Sequence, residues 1–294
     1  MSKQSGLPVY LYRSFDDRRS LVIPFSERRS HCTIDILTPY GFSGFTATDS
    51  ITNRDIEDWT SFCVSRGYTT GYIGLHPLWC PPEISQRTDC FTSNHVHLID
   101  LLKSEEKLLS QLRSRRRSQI SLKEENCSIV EDSNELRPEF IRLYSRLLER
   151  VNASGQYNFS TEVFNLLFEA SGTRLIGVRK QDVIVSVSLF TSTNSIADFY
   201  LNASDLEGRE FSSVIMWHAI LHFKKIGIPI FNLGGGIRPN DGVDKYKSYF
   251  GGREVSLFAI KQIYDPKTYA SACREKELNP EVGVSFFPPY YDRS

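Results

Sequence analysis

Three β-rich runs, RLIGVRK, DVIVSVSLFTST and SIADFYLNAS, succeed one another almost without pause between Arg174 and Ser204, joined by short polar turns around Gln181 and Asn194. Runs of this length, rich in β-branched and aromatic residues, read as strands. The stretch from Asp205 to Gly236 narrows the fold further. The loop DLEGREF leads into SSVIMWHAILHFKK, a helix that Gly227 ends with Pro229 just beyond, and IPIFNL then reads as a strand running into three consecutive glycines. Strands on both sides of such a helix call for a sheet covered by helices, so the expected class is α/β (α+β) with mixed β-sheets flanked by helices.

The first hundred residues repeat that order. SLVIPFSE and HCTIDILT are strands split by a basic turn, PYGFSGF is a glycine-containing loop, and Thr52 and Asn53 precede DIEDWTSFCVSRG, in which Ile56, Trp59, Phe62 and Cys63 recur at helical spacing until Gly67. YTTGYIGLHPLW then returns as a strand. A charged helix from about Ser104 to Glu125 opens the second half. RPEFIRLYSRLLERV puts Phe140, Tyr144, Leu147 and Leu148 on one helical face, TEVFNLLFEA is another helix, and REVSLFAIKQIY is the last strand. Each half thus gives adjacent strands, a glycine-containing loop, a helix and another strand. A duplicated α/β unit is expected, with one unit over residues 1–103 and the other over 104–294.

Composition bounds the activity. With 40% hydrophobic and 24% charged residues, the 294-residue chain is ordinary for a globular protein. Lys+Arg and Asp+Glu each count 35, which argues against wholesale nucleic-acid binding while leaving room for a local basic patch. The six cysteines form no CxxC pair, and the start MSKQSGLPVY has no apolar core of a signal peptide. Reduced thiols and a cytoplasmic location are expected. No apolar run approaches the roughly 20 residues a membrane-spanning helix needs, so any membrane-linked substrate would be met at a surface.

Four stretches carry a family resemblance: SQLRSRRRSQI, YLNASDLEGREFSSVIMWHAI, FNLGGG and DGVDKYKSYFGG. The second half resembles the Fem-type transferases and their broader relatives, built on the acyltransferase fold of the GNAT superfamily. Such proteins show an Asp-Gly or Asp-Ser turn, an aromatic-Lys pair and then Phe-Gly. PYGFSGF resembles a loop of the same relatives. The resemblance implies two GNAT-like units and an N-acyltransferase with no bound cofactor. Its donor substrate would be aminoacyl-tRNA or acyl-CoA, and its acceptor an amine on a peptide, an amino sugar or a cell-envelope precursor. No long coiled-coil arm of the kind found in some Fem proteins is visible.

Acyl transfer to an amine needs a donor carbonyl beside a neutral amine, a proton acceptor, and positive charge or N–H donors where the carbonyl oxygen becomes anionic. It requires no covalent nucleophile, and the chain has no GxSxG. Lys247, in the aromatic-Lys pair with Tyr246, is the candidate cation for the developing oxyanion or for the leaving phosphate-ribose end of the donor, where an isolated lysine would be a solvated surface residue. Asp241 is the candidate for orienting the amine or taking its proton, with Asp244 as competitor; a turn-forming Asp before Gly242 is the plainer role. Gly234, Gly235 and Gly236 suit close approach of a ligand or a neighbouring strand, or simply a tight turn.

Arg209 with Ser212 and Ser213 at a helix start makes a phosphate-sized site, or else a capped helix beside a solvated loop. In the superfamily the corresponding loop receives the pyrophosphate of coenzyme A. This loop departs from the usual QxxGxG form, which leaves room for another phosphate-bearing carrier. Arg116 interrupts the apolar stripe Leu108, Leu112 and Ile120, with Arg113 and Arg117 on the next stripe; the three suit phosphate recognition, or a basic face paired with Glu105, Glu106, Glu124 and Glu125. His95 and His97 share one strand face, but no acidic or cysteine partner has ligand spacing, so no metal site is expected. A noncatalytic phosphate- or RNA-binding module on the same fold is the alternative. FFPPYYDRS reads as a tail packed on the domain or left loose.

Overall fold

The computed structural model of the chain describes residues 6–15, 19–39, 41, 43–151, 158–278 and 286–291. The chain divides into two compact units, Met1–Asn94 with Ser256–Ser294, and His95–Val255. Residues 256–294, expected with the second unit, group with the first.

In the first unit β1 (Val9–Phe15) pairs antiparallel with β2 (Ser20–Arg29), which carries Leu21, Ile23 and Phe25 into the core at every second position. β3 (Ile34–Leu37) and the short β4 (Thr46–Ala47) both pair with β2. Of the loop 39–45, Tyr40 and Phe42 fall outside the described residues, while Phe45 is buried. Helix α1 (Asn53–Ser65) starts at a capping box: the Thr52 hydroxyl accepts from the Asp55 N–H, and the Asp55 carboxylate accepts from the Thr52 N–H at 2.7 Å. The helix buries Ile56, Trp59 and Cys63 and returns the chain to β5 (Thr70–Gly74), parallel to β3. A single turn, α2 (Pro82–Ser85), comes next.

The chain passes into the second unit within β6 (Cys90–Asp100). The helix expected over 104–125 is two helices, α3 (Glu105–Gln111) and α4 (Ser114–Glu124). Leu112 takes extended ψ of 142° and the Arg113 N–H donates to Tyr249 O instead of an intrahelical carbonyl, yet Leu108, Leu112 and Ile120 all remain buried. After β7 (Ser128–Val130) come α5 (Ser133–Val151) and α6 (Thr161–Glu169), then the meander β8 (Arg174–Lys180), β9 (Val183–Ser192) and β10 (Ala197–Ser204). A 3₁₀ turn (Gly208–Phe211) runs into α7 (Ser212–Lys225), and β11 (Ile230–Asn232) returns parallel to β10. Strand order in this unit is β6-β11-β10-β9-β8-β7, antiparallel at the other pairings given by register.

Neighbouring residues of β8 enter different cores, because side chains alternate across a strand: Leu175 packs with Phe140 and Phe164 of α5 and α6, and Ile176 with Ile215 and Phe223 of α7. Burial on both faces explains why DVIVSVSLFTST is nearly continuous in apolar residues. Beyond β11, the stretch read as a charged turn contains a helix, α8 (Gly242–Ser248).

β12 (Arg253–Ile263) brings the chain back to the first unit, where it pairs antiparallel with β5. α9 (Pro266–Glu275) comes after it, capped by Asp265. Against it lie Phe287 and Tyr290, so the described part of the C-terminal stretch is packed; residues 292–294 fall outside the description. Each unit is a mixed sheet flanked by helices, with a parallel strand pair joined through a helix. Among the described residues no helix is long and apolar enough to cross a membrane.

Candidate functional site

The site of the second unit begins where β11 ends. Asn232 is fully buried and stands opposite Asp198 of β10 in register. Its Nδ2 donates to Asp198 Oδ1 at 2.8 Å, and its Oδ1 accepts from the Gly234 N–H at 2.8 Å. One side chain thus ties the strand pair to the turning backbone. Gly234 has φ of +71°, and a Cβ there would stand 3.0 Å from Lys247 Nζ. At Gly236 a Cβ would come within 2.3 Å of Asp241 Oδ1. The glycines therefore admit two side chains of the next helix, not only a turn. On its other flank this backbone pairs with β6: the His97 N–H donates to Gly234 O at 3.1 Å and the Leu233 N–H to His97 O at 2.9 Å.

Asp241 is the N-cap of α8. Its Oδ1 accepts from the Asp244 N–H at 2.8 Å, and its Oδ2 from the Ile237 and Arg238 N–H groups at 2.8 and 3.0 Å. These backbone amides hold its carboxyl below the usual range, so its geometry is that of a helix cap. Asp244 is buried. Its Oδ1 meets the Nε2 atoms of His95 and His97 at 2.8 and 2.7 Å, and its Oδ2 accepts from the Asn240 N–H at 2.8 Å. Burial pushes this carboxyl up, but the bonds from His97, Asn240 and His95 together outweigh it and hold it at about 2.

Lys247 stands one turn later and is 8% exposed. Its Nζ donates to Gly235 O at 2.8 Å and lies 5.6 Å from the centre of the Phe199 ring. No carboxylate forms an ion pair with it among the described residues. Burial lowers its pKa to about 8, against the weaker pull of Asp241 and Asp244. Asp198, beside Phe199 on β10, is pushed up to about 6 by burial, with the Asn232 bond acting the other way.

The opposite side of α8 faces the basic helix. Arg116 Nη1 donates to Gln119 Oε1 at 3.0 Å and to the buried Ser213 hydroxyl, and its guanidinium lies 4.6 Å from the Tyr246 ring centre and 5.2 Å from that of Phe250. Its Nε is buried with no hydrogen-bond partner among the described residues. Burial lowers its pKa, and burial raises that of Tyr246 to about 12, so the phenol stays protonated. The other two arginines do different things. Arg113 stacks on Tyr249 at 4.2 Å, and Arg117 Nη1 closes the carbonyl end of α3 through Ser110 O and Leu112 O at 3.0 and 2.8 Å.

The expected phosphate site is divided. α7 continues a 3₁₀ turn, so the Ser212 N–H and hydroxyl both donate to Arg209 O, while the Arg209 side chain is exposed. Ser213 joins the Arg116 cluster instead. Asp198 and Asn232 belong to no motif, and their one signal in the sequence is a polar residue inside each apolar strand. The partner of His95 and His97 has no local signal, because Asp244 lies 147 residues beyond His97.

Among solved structures the chain is similar to FemX, with a TM-score of 0.70 at 12% identity over 92% of this chain and 91% of that one. It is also similar to the C-terminal domain (DUF2156) of a protein named as a lysylphosphatidylglycerol synthetase from Agrobacterium fabrum, with a TM-score of 0.59 at 14% identity over 91% and 88% of the two chains. A third is L-PGS from Bacillus licheniformis, with a TM-score of 0.58 at 13% identity over 86% and 83%. No family model matches the sequence, and no curated protein matches it significantly. At these identities the likeness is one of fold, and the Fem-like mixed α/β fold expected from the motifs is the fold of this chain.

Proposed function

We propose that the chain is an acyltransferase that makes an amide by direct attack of an acceptor amine on an activated acyl or aminoacyl group. Lys247 is the cation that meets the negative charge developing on the donor carbonyl oxygen. The observation that carries this reading is its ammonium, buried with one backbone acceptor and no ion pair among the described residues. Desolvating a cation without a counter-charge destabilises the fold, and such a group fits an electrostatic task better than a structural one.

In this reading the amine nitrogen bonds to the carbonyl carbon and the oxygen takes the charge beside Lys247. The bond to the carrier then breaks, and the carrier leaves as its thiol or alcohol. The amine's proton passes through a base to the leaving sulfur or oxygen; that base is Asp198, which Asn232 ties to the turn at Gly234 and burial pushes up to about 6. Arg116, inward-facing and without a carboxylate partner among the described residues, contacts a phosphate of the carrier. Acyl-CoA and aminoacyl-tRNA both supply one, and both donors imply work in the cytoplasm. The lysylphosphatidylglycerol synthetases that share the fold are named for an aminoacyl product, which is in keeping with an aminoacyl donor.

The test supplies each labelled donor with a panel of peptide, amino-sugar and small-amine acceptors. Transfer is expected with one donor class, and Lys247→Ala should lower turnover about 100-fold without a matching loss of folding stability. Near-normal turnover in that variant would remove Lys247 from the mechanism. Donor binding with no transfer to any acceptor would instead support a noncatalytic phosphate- or RNA-binding module.

A further inference from the structure

His95 and His97 lie two residues apart on β6, so their side chains leave the same strand face. Their ring centres are 5.4 Å apart with planes crossed at 84°, and both present Nε2 to Asp244 Oδ1. One oxygen atom and two ring nitrogens therefore converge on a common point, all within 4.8 Å of one another. The second Asp244 oxygen is held by the Asn240 N–H at 2.8 Å, which orients the carboxylate as outer hydrogen bonds orient metal ligands. At the solvent side Glu254 Oε2 stands 3.7 Å from His95 Nε2 on a side chain that is largely exposed and free to swing. Among the described residues no Lys or Arg forms an ion pair with Asp244 or Glu254. The buried carboxylate thus lacks a fixed cation of its own.

We propose that His95, His97 and Asp244 bind a divalent transition-metal ion of the zinc type, with Glu254 or a water in the fourth position. Two imidazoles and a carboxylate form a nitrogen-oxygen donor set that suits zinc and its neighbours in the first row rather than magnesium or calcium, which take oxygen alone. Metal–ligand bonds of about 2.0–2.2 Å put tetrahedral ligand atoms about half an ångström further apart than the present hydrogen-bond contacts. Rotation of the partly exposed His95 and of Glu254 supplies that opening. Binding requires each imidazole to turn an Nε2 lone pair, rather than an N–H, toward the ion. The bound ion would fasten the first turn of α8 to β6, one turn before Lys247. The metal reading stands apart from the acyl-transfer reading, since it concerns binding alone.

The test uses the full chain, stripped with a chelator and dialysed. Zn(II) is titrated by calorimetry, and Co(II) is followed by its visible spectrum. Expected are one ion per chain, a raised melting temperature, and a cobalt spectrum of four-coordinate type. His95→Gln, at a partly exposed position, should weaken zinc at least tenfold, and Asp244→Asn should abolish binding. Should Asp244→Asn fail to fold, His95→Gln and His97→Gln decide the matter. His218→Gln, elsewhere in the same unit, should leave binding unchanged. No saturable uptake by the stripped wild type, equal affinity in His95→Gln, or loss of binding in His218→Gln alone would each overturn the proposal.

Discussion

At the scale of single residues, two titrating groups give the candidate site a pH signature. Lys247 has a folded pKa of about 8 against an ordinary 10.5, so between these values the unfolded chain holds the proton that the folded chain has lost. Stability therefore rises with pH through that window, by at most about 1.4 kcal/mol per pH unit, and Lys247→Met should flatten the slope in denaturant unfolding. Activity should move the opposite way. A cation that stabilises an oxyanion is lost above pH 8, giving an alkaline limb with an apparent pKa near 8; activity that climbs through the same range would make Lys247 a base instead. Asp198 is raised from 3.8 to about 6, so its contribution to stability is present below 3.8 and lost as pH rises through 6. Asp198→Asn should accordingly raise the melting temperature at pH 7 but not at pH 3.5, while transfer activity falls and its acid limb disappears. A variant that keeps full activity would leave the proton to another acceptor.

At the scale of elements, α8 is too short to stand by itself, since isolated helices need on the order of 12–15 residues to be even marginal in water. It is held by its surroundings: Asp241 at its N-cap, Asp244 against β6, and Tyr246 and Phe250 in the core beneath α4 and α7. Asp241→Ala removes three amide contacts, and loss of an N-cap costs about 1 kcal/mol. The expected result is a loss of that size in equilibrium unfolding, with turnover reduced through displacement of Lys247. Asp241→Asn, which can still cap, should restore most of both. A variant whose turnover falls even though Asn preserves the cap would return Asp241 to the list of proton acceptors.

At the scale of the whole molecule, the proposed function predicts a ligand-linked rise in stability, because a donor that binds only the folded state raises the melting temperature by mass action. A donor at about 100 times its Kd adds about 2.7 kcal/mol, enough to read in a thermal melt. Acyl-CoA and aminoacyl-tRNA can be screened side by side. Arg116→Gln should weaken the shift and flatten the salt dependence of binding, whereas Arg117→Gln should lower stability without a donor-specific effect, since Arg117 closes the end of α3. Equal shifts in wild type and Arg116→Gln would take the carrier phosphate away from this guanidinium. Absence of any shift with both donors would argue against a carrier site.

Periodicity and punctuation made the meander, α7, α1 and the repeated order of the two halves legible in the sequence, because those signals act between residues a few positions apart. Lys247 stood out as a candidate through the residues around it in DGVDKYKSYFGG, and its burial is what the fold adds. What the sequence left open depends on partners brought together by folding. Nothing near Asp198 announces Asn232, and nothing near His97 announces Asp244. Asp241 looked like a catalytic carboxylate or a turn residue, and it became a cap only because Gly236 lets it reach the backbone of Ile237 and Arg238. The break between α3 and α4 likewise comes from the carbonyl of Tyr249, far along the chain, which takes the Arg113 N–H out of the helical ladder. Local pattern is written in neighbours, but burial, pKa and hydrogen-bond partnership are properties of a neighbourhood that exists only after the strands have paired.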